Sequence, residues 1–230
     1  MVRADVKDHI SLMSFDSNPN IGLYAFATDE FCLLAEEVAD KHEDEIKNIL
    51  QVPVYRMTIA GTGLLGVFLA GNANVVLVPE IANEDELKRL AEYGIECEVV
   101  STKLTALGNN ITSNKKTALV NDEFSDAAVK QIKNSLKIPV KKGKVAELTN
   151  VGSCLVVNNK GGLVHRDIKG FELEFLEKLF GCEIYEGTIN MGNPYVKSGI
   201  IANSYGMIVG SHSGGPEINN ADEALGFFEK

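Results

Sequence analysis

Residues 105–120 read "TALGNNITSNKKTALV". A glycine interrupts a small apolar run, two amides follow, and a mixed run leads through the polar turn "NKK" at 114–116 into a second apolar run, "TALV". Two such runs around a short Asn-containing turn read as a β-hairpin. The glycine marks where the chain bends into it, since glycine reaches backbone dihedrals that other residues avoid. One hairpin fixes no fold, but its recurrence along the chain does.

With Gly108 as the anchor, Gly22, Gly66 and Gly152 fall into register, at successive spacings of 44, 42 and 44 residues. Each interval is long enough for one supersecondary unit. The turns become "TDE" at 28–30, "NAN" at 72–74 and "NNKG" at 158–161, and the second runs become "FCLL", "VVLV" and "GLV". A fifth copy, "IIANSYGMIV" at 200–209, aligns Asn203 with Asn158 and puts Lys197 where the glycine would stand. Five repeats result, at approximately 16–59, 60–101, 102–145, 146–190 and 191–230, within one domain spanning 1–230.

A one-sided helix follows each hairpin. In "SDAAVKQIKNSL" at 125–136, Ser125 is an N-cap and Val129, Ile132 and Leu136 share a face. In 83–93, Asn83 and Glu86 have capping-box spacing ahead of Leu87, Leu90 and Ala91. Leu173, Leu176 and Phe180 repeat the pattern in 170–180. A further strand comes next, at 55–59, 96–100, 138–145 and 183–189, and leads to the following glycine.

The last copy has a hairpin and a helix, "NNADEALGFF", but no residues remain for the closing strand. The segment "HISLMSF" at 9–15 has no helix before it and can supply that strand. The expected architecture is an α/β ring of five units, with five-fold pseudosymmetry, closed by the two chain ends. Closure also removes exposed sheet edges.

Composition excludes several function classes. The 230 residues are 45% hydrophobic, enough for a substantial core. A net charge of -10 leaves no overall basic excess for neutralising nucleic-acid phosphates, so a basic protein is the better-matched partner. There is no long apolar span and no signal-peptide pattern at the N-terminus, which places the chain in the cytoplasm, away from membranes. Cys32, Cys97, Cys154 and Cys182 lie far apart and read as apolar core residues on strands. His9, His42, His165 and His212 are isolated, so no metal site is expected.

Two motifs compete for a different reading. "GTGLLG" at 61–66 formally matches a dinucleotide fingerprint, but that site needs a helix opening at the third glycine, and "VFLAGNANVVLVP" has a hairpin pattern instead. In the last unit "GSHSGGPE" offers His212 and Glu217 without a thiol nearby.

The five-unit plan, with "TALGN", "NNKGGLVH", "IIANSYG" and the terminal "ADEALGF", resembles the translation initiation factor 6 family of archaea and eukaryotes. The likeness runs from about Ile21 to Phe228 and is nearest the short archaeal members. It implies a pentein fold, a five-bladed α-β propeller, on a ribosome anti-association factor that binds the large subunit, blocks joining of the small one and takes part in large-subunit maturation. It implies contact with an L14-type ribosomal protein near the sarcin-ricin loop, through a face to which the asparagine of the "ALGN" motif belongs. Asn109 takes that role by motif match.

Because the hinges occupy equivalent positions, Leu107, Gly108, Gly63, Leu64, Val151 and Gly152 join Asn109 as candidate ribosome-binding residues. Special backbone dihedrals account for the hinge glycines themselves, and Asn110 reads as turn chemistry. Departures from the family pattern are Arg166 after "GGLVH", and Lys197 and Gly199 in the fifth hinge. Other pentein proteins modify guanidino groups with a late cysteine nucleophile, which is lacking beyond Cys182. The expectation is a monomer that is not an enzyme and has no cofactor or metal.

Overall fold

The computed structural model describes residues 9–228. β1 (Ile10–Met13) opens the described chain, and a 3-10 turn at Ile21–Leu23 leads into β2 (Ala25–Ala27), β3 (Cys32–Ala35), helix α1 (Glu43–Leu50) and β4 (Val54–Met57). The second round runs through the one-turn helix α2 (Leu65–Phe68), β5 (Ala70–Gly71), β6 (Val76–Pro79), α3 (Glu84–Glu92) and β7 (Cys97–Val100). The third has α4 (Leu107–Asn110), β8 (Ile111–Ser113), β9 (Ala118–Asn121), α5 (Asp126–Leu136) and β10 (Val140–Gly143). The fourth has α6 (Val151–Cys154), β11 (Leu155–Val157), β12 (Gly161–His165), α7 (Gly170–Phe180) and β13 (Glu183–Gly187). The fifth has a 3-10 turn at Val196–Gly199, β14 (Ile200–Ala202), β15 (Met207–Gly210) and α8 (Gly215–Ala224).

Among the described residues these strands form five three-stranded sheets. In each, the second hairpin strand is central: β9 pairs antiparallel with β8 and parallel with β10, for example. Such strands are covered on both faces, which is why they read as continuous apolar runs. In the fifth sheet the parallel position belongs to β1, in register from Ile10 opposite Met207 to Met13 opposite Gly210. The N-terminal segment is the missing strand that the count of elements required.

The helices begin where side chains can satisfy their first N–H groups. The Ser125 hydroxyl accepts the Ala128 N–H at 3.2 Å, and Glu86 reaches back to the Asn83 N–H at 2.8 Å. α8 starts at Gly215, earlier than the apolar pattern from 219 indicates. Pro216 presets the backbone of its first turn, and Glu217 accepts the Gly214 N–H at 3.0 Å.

The hinge glycines have a different cause from the expected one. None of Gly22, Gly66, Gly108 and Gly152 has a positive φ. A Cβ on Gly66 would instead lie 2.9 Å from the Ala25 carbonyl oxygen and closer still to that of Gly22. A Cβ on Gly108 would likewise lie 2.5 Å from Leu69 O and closer still to Gly66 O, and one on Gly152 would lie 2.6 Å from Ile111 O and closer still to Gly108 O. Gly22 closes the series, since a Cβ there would lie 2.6 Å from Ile200 O and closer still to Lys197 O. The hinges thus touch in a cycle, the fifth meeting both the fourth and the first. Each glycine is there because a neighbouring backbone occupies the space of its side chain.

Positive φ falls just upstream, at Asp16 and Ser17, Ala60 and Gly61, Ala146 and Glu147, and Asn190, Met191 and Gly192. Left-handed non-glycine residues are costly and persist only when the surroundings hold them. At the last three of these turns a carboxylate from α3, α7 or α8 does so. Glu86 accepts the Ala60 N–H (2.8 Å), the Gly61 N–H (2.9 Å) and the Thr58 hydroxyl (3.0 Å), and Glu217 accepts the Met191 N–H (3.1 Å), the Gly192 N–H (2.8 Å) and the Thr188 hydroxyl (2.8 Å). Glu172 repeats the pin with the Glu147 N–H at 3.2 Å.

At the opposite end of the hairpins, the turn asparagines staple neighbouring units. Asn114 Nδ2 donates to Asn158 O (3.4 Å) and Phe180 O (3.2 Å), Asn158 Nδ2 to Asn203 O (3.1 Å) and Leu225 O (3.0 Å), and Asn203 Nδ2 to Thr28 O (3.0 Å) and Leu50 O (2.7 Å). Their Oδ1 atoms meanwhile accept backbone N–H groups of their own turns. The Asp29 carboxylate ties the same end together, accepting from Ser204 and Asn159 and pairing with Lys115 at 3.2 Å.

Candidate functional site

Because β4 runs parallel to β3, both end on the side where the chain enters the next hinge. The hinges, the left-handed turns and the loops after the central strands therefore share one end of the molecule. Those loops carry Glu36, Glu37, Glu80, Asp122, Glu123 and Asp167 with Arg166 among them, a rim acidic on balance in which Glu36 pairs with Arg89, Asp122 with Lys144 and Asp167 with Arg166.

Within each hinge the pattern is fixed by packing. The residue before the glycine position, Ile21, Leu65, Leu107, Val151 or Val196, is fully buried. The residue after it, Leu23, Val67, Asn109, Ser153 or Ser198, is half-exposed. The side chains of Leu107 and Val151 consequently belong to the core, and Gly63, Gly108 and Gly152 are buried backbone. These five therefore present no exposed side chain at the hinge face. Leu64 remains half-exposed at the start of α2.

Asn109 differs from all of them. Its N–H donates to Ala106 O at 3.0 Å, while its side-chain amide makes no hydrogen bond among the described residues. Asn110 is buried, donates to Ala106 O at 2.9 Å and accepts from Asn121 Nδ2 at 2.7 Å. It holds α4 to β9 and is a core residue, not a turn residue.

Asn109 lines a cavity of about 300 Å³ at the centre of the hinges, with Asn150, Ser153, Tyr195 and Lys197 among its walls. Gly22 and Lys197 also line an inner cavity of about 110 Å³ walled by the first hairpin strands. Lys197 thus lines both cavities, and its Nζ donates to Gly108 O at 2.6 Å. Burial pulls its ammonium down to about 8. Asn150, Ser153 and Lys197 escape a motif search, but they are legible as the pseudosymmetric counterparts of the third hinge.

Reactive chemistry is poorly served elsewhere. Burial pushes the Cys32 and Cys154 thiols up to about 12, opposite to what a nucleophile needs. Of the four cysteines, Cys32 and Cys97 lie on strands as expected, whereas Cys154 ends α6 and Cys182 follows α7. His165 Nδ1 accepts the Asp167 N–H at 3.2 Å, and Glu217 is occupied by its turn. "GTGLLG" does enter a helical turn, but α2 is one turn long and its Gly66 is packed against Gly22, so no open helix N-terminus faces a ligand. No helix among the described residues is long and apolar enough to cross a membrane.

A family model described as the eIF-6 family matches residues 10–224, which takes in β1, all five hinges and α8. The chain belongs to the eIF-6 family. Among its relatives, the "Translation initiation factor 6" of Pyrococcus abyssi is 43% identical over 224 residues, 95% of this chain and 99% of the relative. That of Pyrococcus furiosus is 44% identical over 225 residues, with the same coverage, and that of Saccharolobus solfataricus 38% over 221 residues, again 95% and 99%. The eIF-6 match extends across the hinge cavity and the strand that completes the fifth sheet alike.

Proposed function

We propose that this protein is a ribosome anti-association factor: a closed, five-bladed α-β propeller of the pentein type that binds the large ribosomal subunit through its hinge face and excludes the small subunit sterically. Family membership, with relatives named "Translation initiation factor 6" along nearly the whole chain, carries the reading. A rigid scaffold that presents clustered loops at one end suits recognition, and buried thiols argue against the guanidino-modifying alternative on the same fold. The acidic rim suits a basic ribosomal protein, of L14 type near the sarcin-ricin loop, with charge speeding the encounter more than setting affinity. In this reading the protein acts as a cytoplasmic monomer and serves large-subunit maturation as well.

Asn109, with its unspent amide on the hinge face, is the first residue to test. Purified protein is sedimented with large subunits, and small subunits are then added. Co-sedimentation and blocked joining are expected. Protein left in the supernatant, or joining unaffected by bound protein, refutes the proposal. Asn109→Ser should weaken co-sedimentation while Tm stays within about 2 °C, because the side chain has no intramolecular bond to lose.

A further inference from the structure

Lys197 breaks the pseudosymmetry at the most crowded point of the molecule. Four hinges have glycine there, and the fifth sends an ammonium across the axis to the Gly108 carbonyl. An ammonium has three N–H donors, and this one has a single acceptor and no carboxylate within ion-pairing distance among the described residues. In a chain with net charge -10, it is a cation left without a counter-ion in a half-closed site, an arrangement that costs free energy. Beside it lies the 300 Å³ cavity, open to the hinge face, where the side chains of Asn109, Asn150 and Ser153 also make no hydrogen bond among the described residues. A positive floor and three polar walls with spare donors are what a phosphate-sized oxyanion needs.

We infer that the central hinge cavity is an oxyanion site of the phosphate class, with the Lys197 ammonium as its floor and the amides of Asn109 and Asn150 and the Ser153 hydroxyl as its walls. None of the rim carboxylates lines this pit, so the face offers two chemistries: carboxylate-rich loops for a basic protein, and a cation in the cavity for a phosphate. The source is either free inorganic phosphate or a phosphodiester of ribosomal RNA. The second source rests on the proposed subunit binding; the site itself does not.

The test titrates the full chain with inorganic phosphate at constant ionic strength and follows the side-chain amides of Asn109 and Asn150 by NMR. Saturable shifts at these amides are expected in the wild type and in Lys197→Arg, with binding at least about tenfold weaker in Lys197→Met. No saturable shift, equal binding by Lys197→Met, or shifts centred on Lys115 at the other end of the axis would overturn the site. Should Lys197→Met fold poorly, the wild type decides alone. Phosphate should raise the Lys197 titration midpoint relative to chloride, and an unmoved midpoint rejects the proposal. Tyr195 is the other titratable residue lining the cavity and is distinguished by its ring resonances. With the site established, competition between phosphate and large subunits assigns the source to RNA, and independence assigns it to the free ion. Failure of subunit binding with phosphate binding intact would reject only the functional proposal.

Discussion

A methyl group on Gly108 would stand 2.5 Å from the carbonyl oxygen of Leu69 and closer still to that of Gly66, both backbone atoms of the neighbouring unit. Neither can give way without moving its own hinge, so Gly108→Ala is expected to cost about 3 kcal/mol through overpacking. Gly170→Ala is the control. Nothing lies within 4 Å of the place its methyl would take and its φ is not positive, so it should be neutral or stabilising by about 0.5 kcal/mol. Urea midpoints measure both, and equal losses would reject the close-approach account. The glycine period was legible in the sequence, but its cause was not: a repeat shows that a position is special, not which other backbone crosses it. Lys197 makes the same point from the other side. Its departure from the period was visible, while its path to Gly108 depends on a contact 89 residues away.

Lys197 also gives a pH signature. Its folded-state value of about 8 lies below the ordinary 10.5, so between the two the unfolded chain holds a proton that the folded chain does not. Stability should therefore rise as pH goes from about 8 toward 10.5, with no contribution from this group's titration below that window. Lys197→Met should lack the rise. Chemical denaturation of both proteins at pH 7.5 and pH 10 checks the sign, and a wild type that loses ground to the variant on going alkaline refutes it.

At the scale of elements, hydrophobic phase located the helices well because each packs one face on a sheet. α7 spans 170–180 as read, and Ser125 and Glu86 cap as their spacing indicated. The carboxylate pins were not legible, since the Glu217 partners lie in a turn more than twenty residues upstream. Partial burial pushes the Glu217 carboxyl up, but its hydrogen bonds from Gly192, Thr188, Gly214 and Met191 outweigh burial and hold it below the ordinary carboxylate value. A depressed carboxyl contributes stability that is fully present above about pH 4.5 and is lost as pH falls through the lower folded value. Glu217→Gln, which puts an amide where N–H donors converge, should cost about 2 kcal/mol at pH 7, with the gap to wild type narrowing toward pH 3. A gap that stays constant with pH would mean that the turn does not depend on the charge.

For the whole molecule, counting elements was enough to anticipate β1 on β15, because among the described residues no strand follows α8 to take the parallel place in the fifth sheet. Hydrogen bonds at both ends of the pair join β1 to β15: the Met207 N–H donates to His9 O and the Ser211 N–H to Met13 O, each at 2.8 Å. Loss of β1 would leave β15 with an open edge and take buried Met13 out of the core, while the hinge contact and the Asn203 staple would still hold the first unit to β14 and its turn. Deletion through Met13 is therefore expected to lower Tm by about 10 °C or more, on the scale of a few °C per kcal/mol for a chain of this size. Hydrogen exchange should show where the fold opens. Protection should fall first in β15 and β14, next to the missing strand, and last in β8 and β9, which lie across the cycle of hinges and keep both neighbours. Uniform loss of protection would show one indivisible cooperative unit, and an unchanged Tm would show that contacts between hinges close the cycle without the strand.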